Sequence, residues 1–416
     1  MSIKRFSHVC CAVCVVAAFG MSASANAQTW SLEQLAQQAV FSHPAVLSKR
    51  SAATAAQADV SAAEWQRFPT PGISTNTDSR GQQFTQLSLQ QPIWTGGRIT
   101  AGIASAQSRH NASTKAVAET GQDILIKVVN AYAEAERWKT RQGVSVENTK
   151  QHELLLKMIS RRVELEASPA VDKELANSRL FQAENDQSVA TQSLSNSFTQ
   201  LSQLAGAQVT TTSAIAINES LLPPNKEEAI KRAMDNSPVL ARLAFEVDAA
   251  AADIDSKRSA YFPQLAVRYE KQNGFIQQGF RVNYDRLMLT LEAQFGAGFS
   301  SVAGVDGAIA KLDAARQAHE SAARDLQQQV ALDWDDMVAS RARLSNASKA
   351  SSSSKEVFES YTRQYTTGRK SWLDVLNSVR EASQSELLVA DAGAQMSAAS
   401  LRLIVLTGKF NSNLVP

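Results

Sequence analysis

The chain carries one pattern twice, so any fold it adopts has to house two copies of the same unit. Residues 31–69 align without a gap to 225–263 at a constant offset of 194, through Ala39/Ala233, Pro44/Pro238, Ala58-Asp59/Ala252-Asp253 and Phe68-Pro69/Phe262-Pro263. The match resumes from 87–206 to 289–408 at an offset of 202, through Leu89/Leu291, Val128/Val330, Arg161/Arg363, Asp172/Asp374 and Gly206/Gly408. The extra residues of the second copy fall between Gln264 and Met288, in one loop, where added length costs little closure entropy. The pattern predicts a pseudo-symmetric fold with a first repeat at 28–206, a linker at 207–224, a second repeat at 225–408 and a tail at 409–416.

Residues 1–27 read as a secretory signal, with Lys4-Arg5, an apolar stretch at 9–19 and a small-x-small site at Ala25-Asn26-Ala27. That stretch is too short to stay behind as a membrane anchor. All three cysteines (Cys10, Cys11, Cys14) lie inside it, without the Leu-Ala-Gly type of sequence that marks lipid attachment. The mature chain therefore has no disulfide and no thiolate chemistry. Loss of Lys4 and Arg5 from 42 basic residues leaves them equal in number to the 40 acidic ones. No basic run carries interleaved aromatics, which excludes nucleic acid as a partner. No later stretch approaches the ~20 apolar residues of a membrane-spanning helix. An integral membrane role would therefore fall to strands.

Each repeat opens with a helix start, Ser31-Leu-Glu-Gln34 and Asn225-Lys-Glu-Glu228. Pro44 and Pro238 then separate a short helix from a longer one, predicted to stop at Phe68 and Phe262 because the residue before proline avoids the α region. After Phe-Pro the period changes from 3.6 to 2. Leu287, Leu289, Leu291, Ala293 and Phe295 alternate with Met288, Thr290, Glu292 and Gln294, after a preceding strand with Leu265, Val267 and Tyr269. In the first repeat, 87–94 keeps this phase more loosely. Residues 73–78 are polar and become a strand only because the repeat demands one. This gives β-hairpins at about 71–95 and 264–296, and four strands in all. Long proline-free helices follow from about 100 to 166 and from about 302 to 368, rods of roughly 100 Å. They return along about 171–204 and 373–407, closing long helical hairpins at about 100–204 and 302–407. The expected fold is mainly α with a small β part.

Four strands cannot close a membrane barrel, and open strand edges do not survive in hydrocarbon. Other copies of the chain must complete them, and three copies give twelve strands and room for a lumen. The helical hairpins would extend that lumen as a tube. With its tandem repeat, its His-Pro and Ser-Pro steps, Gln-Pro-Ile-Trp-Thr-Gly-Gly-Arg (91–98) and Tyr365-Thr-Thr-Gly-Arg-Lys-Ser-Trp-Leu-Asp-Val-Leu-Asn377, the chain resembles the TolC-like outer-membrane efflux proteins. The resemblance runs from residue 31 to about 408.

It implies a homotrimer with a 12-stranded barrel in outer-membrane lipid of a Gram-negative bacterium and a periplasmic α-barrel. The tips would dock a periplasmic adaptor (membrane fusion) protein and an inner-membrane ABC or RND-type transporter. No cofactor or metal is implied. The expected function is the exit duct of a type I secretion or multidrug efflux system, and the Trp-Thr-Gly-Gly-Arg form resembles members that secrete adhesins. The resemblance also implies a periplasmic gate. Asp374 matches a ring aspartate, and the next ring position carries Asn377. Tyr365 and Lys370 match a tyrosine and a basic linker residue, with Asp172 as their acidic partner. Lys370 in place of arginine weakens bidentate pairing. The first-repeat turn, Glu166-Ala-Ser-Pro169, departs from the usual glycine. Read without the resemblance, Asp172 and Asp374 are helix caps just after a turn.

Rival classes find little support. His43, His110, His152 and His319 are scattered without metal-ligand spacing, and Gly296-x-Gly298 is isolated rather than part of a phosphate loop. Trp94, Trp334 and Trp372 read as packing or interface aromatics. A periplasmic or cell-surface coiled-coil scaffold or adaptor without a pore explains the helices. It does not explain alternating strands at matching places in both repeats.

Overall fold

The computed structural model describes residues 29–77, 83–276, 280–293 and 300–410. The signal segment, the two hairpin tips, Phe295, Gly296-x-Gly298 and most of the tail lie outside these. Helix α1 (Leu32–Ser42) opens on a reciprocal cap. Ser31 Oγ accepts the Gln34 N–H at 3.2 Å, and the Gln34 side chain accepts the Ser31 N–H at 3.0 Å. Pro44 starts α2 (Pro44–Trp65), where its fixed φ suits the first helical position and its missing N–H costs nothing. The second repeat copies this as α5 (Lys226–Asn236) and α6 (Pro238–Arg258), capped by Asn225 and Ser237. The second helices end at Trp65 and Arg258, short of the expected Phe68 and Phe262. A turn and a 3-10 segment (Ser259–Tyr261) cover the gap. Proline bars the residue before it from the helix but does not oblige the helix to reach that residue.

Helices α3 (Arg98–Glu164) and α7 (Ser300–Thr366) are each 67 residues long, about 100 Å at 1.5 Å per residue. Short turns return the chain as α4 (Ala170–Ala205) and α8 (Trp372–Leu406). Along its length α3 packs against α2 and α6, and against α4 and α8, while α7 packs against α6 and α8. One sheet-side layer and one tip-side layer thus share the same two rods. Where the layers meet, Tyr132 is fully buried and donates its hydroxyl hydrogen to the Ser213 carbonyl at 2.6 Å. This ties α3 to the parallel pair β1 (Thr29–Trp30) and β4 (Thr211–Thr212), the second of which lies inside the segment expected to be a plain linker.

One expectation needs correction. An 18-residue window of α8 reaches a mean hydropathy of 1.2, apolar and long enough by composition to cross a membrane. Its apolar residues are instead spent on protein contacts. Leu401, Ile404 and Val405 pack with Val40, Leu125 and Val129, and Leu403 and Leu406 pack with Ala233 and Val330.

The strands β2 (Thr70–Thr77), β3 (Gln83–Trp94), β5 (Gln264–Ile276) and β6 (Phe280–Glu292) form one antiparallel sheet in the order β2-β3-β5-β6. The first strand forms where the repeat demanded it. The register puts Leu89, Tyr269 and Leu287 on one face, followed by Val267 and Leu289, then Leu265 and Leu291. On this face Leu287, Leu289 and Leu291 are 73%, 68% and 68% exposed. The other face is polar and cross-linked. Arg286 donates to Glu270 at 2.7 Å, Arg268 to Gln90 at 2.8 Å, and Gln272 to Gln86 at 3.1 Å. Within the chain the sheet is open, with β2 and β6 at its edges.

At the sheet base, Trp65, Phe68, Trp94, Tyr261 and Phe262 all lie exposed, an aromatic girdle at the level where strands pass into helices. Trp94 meets Phe262 edge-on at 6.1 Å. Gly96 makes this turn at φ +62, and a Cβ there would sit 2.8 Å from Phe262 Cβ and 3.0 Å from the Ser259 carbonyl oxygen. Gly96→Ala is expected to cost about 2–3 kcal/mol through left-handed strain and overpacking. The check is the heat-dissociation midpoint, and an unchanged midpoint would contradict the packing described.

Candidate functional site at the hairpin tips

The two helical hairpins end differently, although the repeat aligns them. The first turn is made by Glu166 at φ +56, the only non-glycine residue with positive φ among those described, and the second by Gly368 at φ +75. These positions correspond in the repeat. The departure noted in the sequence is thus a change of residue at a conserved backbone shape, at a strain cost of about 1 kcal/mol.

The cap after each turn also differs. In the second repeat Ser371 is the N-cap, and Asp374 accepts both its N–H (3.1 Å) and its hydroxyl (2.8 Å). These bonds, the Ser371 hydroxyl first, then its backbone N–H, with the charge of Lys370 adding, hold the Asp374 carboxyl below its usual pKa. The cap is therefore fully present above about pH 4 and is lost only as pH falls through that depressed value. In the first repeat the N-cap is Pro169, which has neither N–H nor hydroxyl to offer. Asp172, at the position equivalent to Asp374, has only its backbone N–H engaged, on the Pro169 carbonyl. Its carboxylate makes no hydrogen bond or ion pair with any described residue of the chain. The capping reading therefore holds for Asp374 and fails for Asp172.

Tyr365 and Trp372 close the second tip, with ring centroids 5.5 Å apart, both about 5% exposed, against Leu155, Ile159, Val375 and Val379. The Arg162 guanidinium of α3 lies 4.8 Å from the Tyr365 ring centroid and donates to the Tyr365 carbonyl at 3.5 Å. The Tyr365 hydroxyl, Trp372 Nε1 and Arg162 Nε are buried without a hydrogen-bond partner among the described residues of the single chain. Each such atom costs free energy until something pairs with it. Lys370 rests over the Tyr361 ring at 4.1 Å rather than on a carboxylate. Asn377 accepts from Arg380 at 3.5 Å.

So the chain gathers Tyr365, Trp372 and Arg162 into one cluster, leaves Asp172 free, and does not pair Asp172 with Tyr365 or Lys370 within one copy. Sequence reading missed Arg162 and the role of Trp372. A signal existed in the broken symmetry of the repeat, where Val163, Ala170 and Arg162 align with Tyr365, Trp372 and Gln364.

His152 on α3 lies nearby, 7% exposed. Burial first, and the charge of Arg179 second, push its pKa below the ordinary histidine value. The unfolded chain then binds a proton that the folded chain refuses. Its contribution is full above about pH 6.5 and declines as pH falls toward the folded value. Wild-type protein is therefore expected to lose more thermal stability than His152→Gln between pH 7.5 and pH 5.5 in chloride buffer. Equal losses would contradict this.

The outer membrane efflux protein family matches residues 35–207 and 229–409, one span in each repeat. Among solved structures, the chain is similar to a membrane protein from Pseudomonas aeruginosa, with a TM-score of 0.80, 19% identity, and coverage of 91% of this chain and 93% of that one. VceC, an outer membrane protein of Vibrio cholerae, gives 0.78 at 15% identity, covering 91% and 97%. The open state of the Neisseria gonorrhoeae MtrE outer membrane channel gives 0.76 at 16% identity, covering 91% and 88%. Comparison with curated proteins gives no match.

Proposed function

The chain belongs to the outer membrane efflux protein family, and on that premise we propose that three copies close its open sheet into a 12-stranded barrel continued by a periplasmic α-barrel. It is an outer-membrane efflux channel. The observation that carries the trimer is the two-faced sheet. Its exposed leucines suit lipid, its cross-linked polar face suits a wet lumen, and its edge strands β2 and β6 need partners. Light scattering of the detergent-extracted protein tests this. Three chains per particle support it, and a monomer that keeps its strands defeats it.

The duct receives cargo from an inner-membrane ABC or RND-type transporter through a periplasmic adaptor. Between efflux of small molecules and type I secretion, the Trp-Thr-Gly-Gly-Arg turn at 94–98 leans toward secretion of a large adhesin-type protein. A deletion strain that loses a large surface protein while keeping its drug resistance supports that lean, and the reverse pattern rejects it.

The mouth is held shut at the hairpin tips. Asp172, with its free carboxylate, pairs with a basic group of a neighbouring hairpin, and Lys370, which rests on the Tyr361 ring, is the partner on offer, while the Tyr365 hydroxyl stays enclosed in its own chain. Asp374 and Asn377 line the constriction, with one acidic ring rather than two. Because the Tyr365 hydroxyl is unsatisfied within the chain, Tyr365→Phe with Asp172→Ala is expected to leave thermal stability nearly unchanged while raising conductance and drug leakage severalfold. Wild-type conductance and leakage in the double variant would remove this gate assignment.

A further inference from the structure

Between α3, α4 and α8, just above the tips, lies a cavity of about 140 Å³ lined by His152, Asn148, Arg179, Asp186, Asn377 and Arg380 among others. It spans the crack between the two helical hairpins, since α3 and α4 belong to the first and α8 to the second. Its charges are not balanced. Among the described residues, Arg179 donates only to Gln182, at 3.1 Å, and Arg380 only to Asn377, and neither has a carboxylate within salt-bridge distance. Asp186 at the rim is exposed and offsets one of the two positive charges. His152 is more than nine-tenths buried, its side chain makes no hydrogen bond to a described residue, and it borders the cavity. Asn148 Oδ1 is also buried without a partner, and a turn of that amide brings N–H donors to the same place.

We propose that this cavity is a binding site for one small oxyanion per chain, held between Arg179 of the first hairpin and Arg380 of the second with His152 and the amides of Asn148 and Asn377 completing the shell. Arg179 is half-buried and Arg380 exposed; both line the one cavity, and each offers the planar donor fork that suits an oxyanion. The volume admits an ion of sulfate or short-carboxylate size. Protonation of His152 adds a third positive charge and another N–H donor, so binding tightens as pH falls. Burial first and Arg179 on α4 second hold the His152 pKa down, and the other charged groups lining the cavity are Asp186 on α4 and Arg380 on α8.

Sulfate is the probe, because it stays a dianion across the relevant pH range. Isothermal titration of the full-length, detergent-extracted protein at fixed ionic strength is expected to show one saturable site per chain at pH 5.5, at least tenfold weaker at pH 8. Arg179→Gln with Arg380→Gln abolishes the site, while Arg369→Gln, an exposed residue away from the cavity, leaves it intact. His152→Gln retains binding but loses its pH dependence. Circular dichroism confirms that each variant keeps its helices. Sulfate binding that is not saturable, or that is equal in the double arginine variant, overturns the proposal. The titration involves no transport, so its failure leaves the channel reading standing, and the failure of that reading leaves the site standing.

Discussion

Replacing Leu289 by arginine is expected to keep the chain out of the outer membrane. Leu289 lies in β6 three residues before its end at Glu292, paired with Val267, with Leu287 and Leu291 on the same face. Its side chain is 68% exposed, so the substitution breaks no packing within the chain. The effect must come from the surroundings. An arginine facing lipid costs about 2–4 kcal/mol at the bilayer midplane and less toward the interface, and in the proposed trimer each of the three copies adds its own cost. The companion change Gln86→Arg adds the same charge to the opposite, polar face, where Gln86 accepts from Gln272, and is expected to be tolerated. Heat-modifiable migration in the outer-membrane fraction reads both. Normal insertion of Leu289→Arg would mean that this face does not meet lipid.

The second large effect lies where the layers join. Asp333 of α7 is 2% exposed, and its carboxylate accepts from Arg402 Nε at 2.8 Å and from Gln329 at 3.1 Å. Arg402 also donates to Asn130 at 3.2 Å, so one guanidinium links α8 to α7 and α3. Removing Asp333 alone leaves that half-buried positive charge without its counter-ion. Asp333→Ala is expected to cost about 3–5 kcal/mol, seen as a lower thermal midpoint and poor yield. Asp333→Leu combined with Arg402→Met removes both charges and is expected to recover most of the loss. If the double variant is as unstable as the single one, the cost lies in packing rather than in the orphaned charge.

Much of the architecture was readable because its periods are strong. Strand β6 announced itself through Leu287, Leu289 and Leu291, and the rods through long proline-free stretches that break at Ser168-Pro169 and at Gly368. Strand β2, with no apolar alternation of its own, was readable only through its repeat partner. The pair β1 and β4 was not readable, since two-residue strands carry no period and rest on Trp30, Tyr132 and Ser213 brought together from distant positions. The apolar stretch of α8 was underrated because composition does not say which neighbours cover it.

The tips were legible in part. Asp172 and Asp374 stood out by position, but their difference depends on the residue three places earlier, proline in one repeat and serine in the other. Only the cap geometry reveals that one carboxylate is engaged and the other free. Arg162 escaped because an arginine near a helix end, here beside Arg161, reads as a solvated charge until the Tyr365 ring is placed beneath it.

Single-channel current across a planar bilayer, with protein extracted from the outer membrane, tests the central claim most directly. The account predicts discrete, long-lived conductance steps, larger in the Asp172→Ala, Tyr365→Phe variant than in wild type. Folded, trimeric protein that passes no current in either form would contradict it.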